Sequence, residues 1–173
     1  MEDSEQSEDE LAGQEFTGKV VEVHSGDSLT IEKDDVDLKL IRVYLASIKA
    51  PKYNADVQEP YGWESKESLR KLSIGKKVRV IIEHSKHIQT KQGNTDLQMN
   101  FATVFLSYKT EKNLAAQQLA KGLALSNLSK DNLSKYLEEV LNAEKKAVDA
   151  KLCLHSKRDP PHIVFNDLSH DVK

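Results

Sequence analysis

The first hydrophobic pattern in the chain is a run of β-branched residues that a turn divides in two. Valines dominate the early part of residues 16–31, and the tetrapeptide Ser25-Gly26-Asp27-Ser28 interrupts the run. β-branched residues favour strands, whereas glycine beside aspartate favours turns. Another apolar run occupies residues 38–45, after a pair of aspartates. We therefore predict three strands joined by short turns, which form a curved meander.

A helical spacing replaces the strand pattern after the third strand. Over residues 61–72 the apolar side chains fall on one stripe of a helix, and Gly75 follows where a helix C-terminus is expected. Alternation resumes at residues 78–82, which predicts a fourth strand. Residues 84–96 are polar and rich in turn formers, so we predict a loop there, followed by a fifth strand at residues 101–106.

Two further helices are predicted in the last third of the chain. Asn113 is a suitable N-cap for a helix that reaches Lys121 and stops at Gly122. A longer helix is predicted over residues 133–151, and the prolines beyond it predict an extended tail over residues 158–173. The side chains expected on the inner side of the long helix are Tyr136, Leu137, Val140, Leu141, Ala147 and Val148.

The charge is distributed unevenly, and this limits the choice of partners. The formal net charge is -3, but residues 1–10 hold six acids and no base, so the remainder carries +3. An acidic polar stretch cannot bury enough apolar surface to order itself, so we expect residues 1–14 to be disordered. A balance of +3 is too small for binding DNA by overall charge, so any nucleic-acid binding needs a local patch.

Composition sets the class of protein that we expect. A chain of 173 residues with 38% hydrophobic content is long enough for one core, so we predict one domain. The sequence has no apolar run of the roughly 18 residues that a membrane span requires, and no basic and apolar leader. Cys153 is the sole cysteine, so no internal disulfide forms. We expect a soluble protein in the cytoplasm, and a nuclear location stays open.

Several segments together resemble the staphylococcal nuclease family. They follow one another in that family's order: VVEVHSGDSLTI, VYLASIKAP, EPYGWESKESLRKL, NLAAQQLAKGLA and YLEEVLNAEKKAVDAKLCLHS. The resemblance implies an α+β fold over residues 15–157, a five-stranded OB-fold β-barrel of staphylococcal nuclease type with three helices. LHSKRDPP and the KAP of the third strand look most like the third nuclease-like repeat of the Tudor staphylococcal nuclease family. That resemblance implies a piece of a longer protein, in which residues 158–173 lead to a following repeat.

The family's five functional positions can be carried over residue by residue. Two aspartates that hold calcium fall on Asp27 and Lys49, the glutamate on Lys52, and the two arginines on Tyr44 and Met99. Four of the five are changed, and two acids have become lysines, which repel a divalent cation. The resemblance therefore implies no catalytic residues, no cofactor and no metal. Moving the register by two would recover an arginine as Arg42, but it would break the match of Ile48, Ala50 and Pro51.

Other candidate chemistry has simpler structural interpretations. Asp27 is the kind of residue that forms a turn in Ser-Gly-Asp-Ser. The aromatic residues Tyr61 and Trp63 suit helix packing better than base stacking. His84 with His87, and Cys153 with His155, lack the four-ligand spacing of a zinc site.

A binding function would reside in the basic residues. OB-type barrels bind single strands with cations for the phosphates and aromatic residues for the bases. A solvated charged face is the alternative. His87 lies in the same predicted loop as two of the lysines. The candidate nucleic-acid-binding residues are Lys49, Lys52, Lys76, Lys77, Arg79, Lys86 and Lys91.

Three functions follow from the resemblance and the changed positions. The first is a degenerate nuclease-like module that binds RNA or single-stranded nucleic acid and acts as a protein scaffold. Its expected partners are proteins of RNA silencing or transcription complexes and neighbouring nuclease-like repeats. The second is an active calcium-dependent nuclease, and the third is a domain that only binds proteins.

Overall fold

The alternating pattern of the first strands places one of their faces in the core. The computed structural model describes residues 11–89, 96–106 and 111–158. Strand β1 (Glu15–Ser25), β2 (Ser28–Lys33) and β3 (Leu40–Leu45) form the predicted antiparallel meander. Register shifts on both sides of Val23 curve β1. The predicted meander is confirmed, but its third strand starts at Leu40 and not at residue 38, because Leu38 has a left-handed φ of 47°.

Two long strands replace the fourth strand, loop and fifth strand that the sequence predicts. β5 (Lys77–Gln89) and β6 (Asp96–Leu106) pair along their whole lengths. The predicted loop over residues 84–96 is therefore wrong at both ends. The polar residues 84–87 belong to a strand because a bulge after Ile82 lets the ladder continue beyond the buried part of the sheet.

The remaining short strands complete two sheets. The larger sheet has the order β3-β2-β1-β5-β6-β7, where β7 is Lys112–Asn113. A parallel pairing of β3 with β6 also joins the first strand of that order to the fifth. The smaller sheet pairs β4 (Ile48–Lys49) with β8 (Leu125–Ser126). Two-residue strands carry no periodicity, so the sequence could not reveal them.

Three helices pack on this framework. The predicted first helix is α1 (Gly62–Ser73), and Gly75 follows it with a positive φ of 71°. α2 (Leu114–Ala120) is capped as predicted, because the Asn113 side chain accepts a hydrogen bond from the Ala115 N–H at 3.0 Å. A short 3₁₀ turn (Cys153–His155) follows α3 (Leu137–Asp149).

The third helix differs from its prediction in both start and orientation. It begins at Leu137 and not at 133, since the Ser134 hydroxyl accepts the Tyr136 N–H and holds the chain before the helix. Its buried residues are Val140, Ala143 and Ala147. Leu141 and Val148, which we predicted on the inner side, are 39% and 47% exposed. The small side chains form the packed stripe, which lets the helix approach α2 closely.

Residues 1–10 and 159–173 lie outside the described residues, and so do the predictions for most of the acidic segment and of the tail. The described fold begins before the predicted start at residue 15, because Leu11 packs against the core. Gly13 and Gln14 also exchange backbone hydrogen bonds with Ile82. Within the described ranges, no helix is both long and apolar enough to cross a membrane.

Candidate nucleic-acid interface

Asp27 fastens the turn between β1 and β2 to a distant segment of the chain. Its Oδ2 accepts the backbone N–H of Ala50 at 2.8 Å, and its Oδ1 accepts the Ser25 hydroxyl at 2.6 Å. Its backbone carbonyl accepts the Leu45 N–H at 2.7 Å. Both carboxylate oxygens are thus engaged within the fold. This arrangement agrees with the interpretation of Asp27 as a turn residue.

Gly26, the residue before Asp27, is packed so closely against its neighbours that no side chain fits there. A Cβ at Gly26 would collide with the Ser65 hydroxyl and would lie 2.9 Å from the Cβ of Ala50. The Gly26 carbonyl accepts a hydrogen bond from the buried side-chain amide of Gln118 at 2.9 Å. The Ser-Gly-Asp turn is therefore fixed by α1 and α2 together, and the backbone approach explains its glycine.

Lys49 and Lys52 occupy the segment that begins with β4. Both are exposed, and Lys49 lies on the wall of a cavity of about 430 Å³ that Pro51 and Glu59 also line. The backbone N–H of Lys52 donates to a Glu59 carboxylate oxygen at 2.7 Å, and the Glu59 N–H donates to the Lys52 carbonyl at 2.8 Å. The main chain at Lys52 is thus held in place while its ammonium group remains exposed.

These residues do not fit a calcium ion. Calcium takes six to eight oxygen ligands, whereas the one aspartate here already accepts two hydrogen bonds and two lysines follow it in the chain. Nowhere in the described ranges do three or more histidine, cysteine, aspartate or glutamate residues form a group that could hold a metal ion.

Three rings form a row across the outer face of the sheet. Tyr44 of β3 is the register partner of Phe101 of β6, which is in turn the partner of His84 of β5. The Tyr44 and Phe101 ring centroids are 5.7 Å apart, and those of Phe101 and His84 are 4.6 Å apart with an interplanar angle of 10°. All three side chains are half-buried. We call Tyr44, Phe101 and His84 the aromatic row.

Two cations flank the aromatic row. The Arg42 guanidinium lies 5.3 Å from the Tyr44 ring centroid, and the Lys86 ammonium lies 5.5 Å from that of Phe101. Arg42 also donates to the Ser28 hydroxyl at 3.3 Å. Burial, and then the charge of Lys86, lower the pKa of His84 below its ordinary value. The result is a positively charged face with a neutral imidazole in the row.

Neither Phe101 nor the contacts among these rings were predicted from the sequence. The pairing register brings them together, and the bulge after Ile82 decides it. Ile82 faces Ala102 in the core, and the extra residue Glu83 then turns His84 to the side of Phe101. The sequence alone does not show that residues 44, 84 and 101 are neighbours, because this depends on the pairing register of three strands.

Comparison with known proteins identifies the family. The model of the staphylococcal nuclease homologue family matches residues 42–157. The chain belongs to the staphylococcal nuclease homologue family. Its fold is therefore the α+β OB fold of staphylococcal nuclease type that the resemblance implied.

Individual relatives of this nuclease-family chain include both long and short proteins. It is 34% identical over 183 residues to "Ribonuclease TUDOR 2" of Arabidopsis thaliana, which covers 90% of the chain and 19% of that protein. It is 26% identical over 182 residues to "Staphylococcal nuclease domain-containing protein 1" of Drosophila melanogaster, with 91% and 19% covered. The "Thermonuclease" of Staphylococcus hyicus is 31% identical over 138 residues, with 79% and 74% covered. The chain thus spans about a fifth of the length of the Tudor-type relatives, and the assignment to a third repeat stays a prediction.

Two of the positions carried over from the family lie on strands of the larger sheet, and two lie on the segment that starts with β4. Tyr44 belongs to the aromatic row, and Met99 lies two residues before Phe101 on the same face of β6, opposite Lys86. Lys49 and Lys52 lie on the segment that starts with β4. The five positions as a catalytic set stay a prediction, while their chemistry here is one carboxylate, two ammonium groups, a phenol and a thioether.

The predicted basic residues of this nuclease-family domain do not form one cluster. Lys76 and Lys77 are exposed at the start of β5, where Lys77 pairs with Asp34 at 3.4 Å. Lys86 lies seven residues beyond Arg79 on the same strand, roughly 20 Å away at about 3.3 Å per residue. Lys91 lies outside the described residues. The predicted set is therefore spread over at least three places.

Arg79 differs from the other basic residues because it is paired twice. Its guanidinium contacts carboxylates of Glu15 at 2.9 Å and Glu111 at 3.1 Å. It also lies 4.7 Å from the Phe105 ring centroid. The hydrogen bond that Arg79 donates to Glu15 raises the pKa of the guanidinium above its ordinary value. These contacts give Arg79 a structural role at the edge of the sheet.

The other residues considered for chemistry are dispersed. Tyr61 and Trp63 are half-buried at the start of α1, and the Tyr61 hydroxyl lies 3.5 Å from the Ser156 hydroxyl. Burial, and then the charge of Glu64, raise the pKa of the Cys153 thiol. A thiol with a raised pKa is a poor nucleophile and metal ligand at neutral pH.

Proposed function

We propose that this chain is a catalytically degenerate nuclease-like domain that binds RNA or another single-stranded nucleic acid. The observation that carries the proposal is a reversal of charge. Lys49 and Lys52 present exposed ammonium groups at positions where the family resemblance places acids, and both oxygens of Asp27 are engaged in the fold. Such a site attracts phosphates and repels the cation that hydrolysis would use.

The fold and the relatives support the binding part of the proposal. OB folds bind single strands by combining cations with aromatic side chains, and this chain presents both on one face of its sheet. The Tudor-type relatives suggest that the domain works within a longer protein. In that setting it would also be a scaffold for proteins of RNA silencing, RNA processing or transcription, in the cytoplasm and the nucleus.

A second candidate is an active nuclease, and the names of the relatives favour it. "Ribonuclease TUDOR 2" and "Thermonuclease" are both named as nucleases. Activity here would need groups other than those that the family resemblance supplies, because Tyr44 and Met99 replace the two arginines. A neighbouring repeat would have to supply them. We therefore rank hydrolysis below binding.

Incubation of the purified chain with single-stranded RNA separates these functions. We expect binding without cleavage, in calcium and in chelator alike, and an affinity that falls as salt rises because phosphate contacts release counterions. Calcium-dependent cleavage that chelator abolishes would support the nuclease instead. Absence of binding at low salt would leave the third function, a domain that only binds proteins.

A charge-reversal pair locates the binding. Lys49→Glu with Lys52→Glu should weaken RNA binding and flatten its salt dependence, since each lost phosphate contact lowers the slope by about 1. Lys145→Glu with Lys146→Glu on α3 is the matched control, with the same change of charge on another face. Equal losses in both pairs would mean that overall charge, and not this segment, governs binding.

A further inference from the structure

We propose that the aromatic row of Tyr44, Phe101 and His84 is a stacking site for bases of single-stranded nucleic acid, with Arg42 and Lys86 contacting the adjoining phosphates. This inference rests on the proposed function, because it names the part of the chain that would recognise the bases. Lys49 and Lys52 do not belong to the aromatic row.

The geometry of the row decides where a base can stack. The Phe101 and His84 rings are nearly parallel at 4.6 Å, which is close to the spacing of neighbouring strands. Inserting a base between two rings would need roughly 7 Å, twice the contact distance of carbon atoms. A base therefore adds at an end of the row, against Tyr44 or against His84, and not inside it.

The two ends of the row differ in what lies beside them. β1 pairs with β5 only up to Glu15 and Ile81, so His84 lies beyond that ladder. At the other end, the register partner of Tyr44 on β2 is Ser28, which is 1% exposed, and the Arg42 guanidinium that donates to Ser28 lies 5.3 Å from the Tyr44 ring centroid. A base that stacks on Tyr44 would therefore displace this guanidinium from the ring towards the adjoining phosphate. Each end also has a cation on its own strand, because Arg42 lies two residues before Tyr44 and Lys86 two residues after His84. Each end thus combines a ring with a nearby positive charge.

The cations beside the aromatic row distinguish it from the contact between Arg79 and Phe105. Arg79 lies over Phe105 in the same way, but Glu15 and Glu111 neutralise it. Among the carboxylates whose side chains the structure describes, none forms an ion pair with Arg42 or Lys86. An anionic partner is therefore expected at the aromatic row, and a cationic ligand such as a methylated lysine would be repelled.

Nucleic acid suits this combination better than an acidic protein segment does. Carboxylates would use the two cations but leave the rings without a partner, whereas a nucleotide supplies an anion and a π face together. Stacking of this kind is tolerant of base identity. The site should therefore accept any single strand and show little sequence preference.

The test compares Tyr44→Leu and His84→Leu with wild type for binding to a labelled oligouridine and to the same oligomer with abasic positions. We expect each variant to lose about fivefold or more in affinity for the normal oligomer. The abasic oligomer should bind wild type more weakly, and the substitutions should change that binding little. Tyr44→Phe keeps a ring and should keep the affinity, and Trp63→Leu on α1 is the control for loss of an aromatic residue elsewhere.

The possible results separate this inference from the proposed function. Unchanged affinity in Tyr44→Leu and His84→Leu, with both variants folded, would overturn the stacking site and leave nucleic-acid binding intact. Failure of wild type to bind any oligomer at low salt would overturn both. Binding of polyglutamate that Tyr44→Leu weakens would assign the aromatic row to an acidic protein segment. If Tyr44→Leu fails to fold, the affinities of wild type and Tyr44→Phe for the normal and the abasic oligomer are compared. Equal affinity for the two oligomers would then overturn the stacking site.

Discussion

The carboxylate of Asp27 accepts the backbone N–H of Ala50 at 2.8 Å, across 23 residues of chain. This bond ties the β1–β2 turn to the segment that follows β4. The same carboxylate accepts the Ser25 hydroxyl, so its second oxygen is engaged too. By the family resemblance this position holds a metal ligand. In this chain its visible contacts are those of a residue that stabilises the fold.

Replacing Asp27 by alanine should therefore lower the free energy of unfolding. The loss should not depend on calcium, because we do not expect wild type to bind calcium there. The variant leaves the Ala50 N–H without its acceptor, which costs about 1–3 kcal/mol. Urea denaturation of wild type and variant measures the loss. Asp27→Asn keeps one acceptor oxygen for Ala50 and should lose less. An unchanged free energy of unfolding, together with loss of a stabilisation by calcium, would make Asp27 a ligand after all.

The sequence was sufficient for the parts of the fold that depend on local rules. The turn at Ser25–Ser28, the Asn113 cap and the stop at Gly122 follow from the conformations that those residues favour. The hairpin of β5 and β6 was not predictable in the same way. Residues 84–87 are polar and pair beyond the core, and composition alone cannot separate such a strand from a loop.

The candidate site likewise has one part that the sequence reveals and one part that it does not. The lysines at 49 and 52 are visible in the sequence because the Ala-Pro motif beside them fixes their positions. The aromatic row is not, because its members come from three strands and a bulge sets their register. Leu141 illustrates the same limit on a helix. Two stripes of α3 have apolar residues, and only packing against α2 selects the one with Ala143 and Ala147.

Acid should destabilise the domain through its histidines. Burial is the main cause that lowers the pKa of both His24 and His84 from the ordinary 6.5, so the unfolded chain takes up protons first as the pH falls. The stabilising contribution is therefore complete above pH 6.5 and is lost as the pH falls through the lower folded-state values. Denaturation in urea over this pH range measures the effect.

His84→Phe isolates the part of this pH dependence that comes from the aromatic row. The variant keeps a ring against Phe101 but cannot be protonated, so its free energy of unfolding should fall less steeply below pH 6.5 than that of wild type. His24 contributes to the slope that remains. An identical slope in variant and wild type would show that His84 does not titrate differently in the folded state.

Arg79→Lys separates structure from phosphate binding at the start of β5. Lysine keeps the positive charge but cannot contact Glu15 and Glu111 with a planar fork, so we expect a loss of about 0.5–1 kcal/mol in stability. RNA affinity should stay unchanged. Thermal denaturation and RNA titration of the same samples measure the two effects. A large loss of RNA affinity with unchanged stability would place Arg79 in the interface as a bidentate phosphate ligand.

Restoring acids at two positions should restore an interaction with calcium. Lys49→Asp with Lys52→Glu removes two ammonium groups and adds two carboxylates near the segment that Asp27 fastens, and calcium prefers such oxygen ligands. Because a ligand of the folded state adds RT ln(1 + [L]/Kd) to stability, calcium should raise the unfolding free energy of this variant and not that of wild type. Lys76→Asp with Lys77→Glu makes the same change of charge at the start of β5 and should not respond. Equal stabilisation of wild type by calcium would contradict the charge reversal as the reason for degeneracy. A double variant that ignores calcium would mean that the bonds of Asp27 to Ala50 and Ser25 are by themselves enough to exclude the ion.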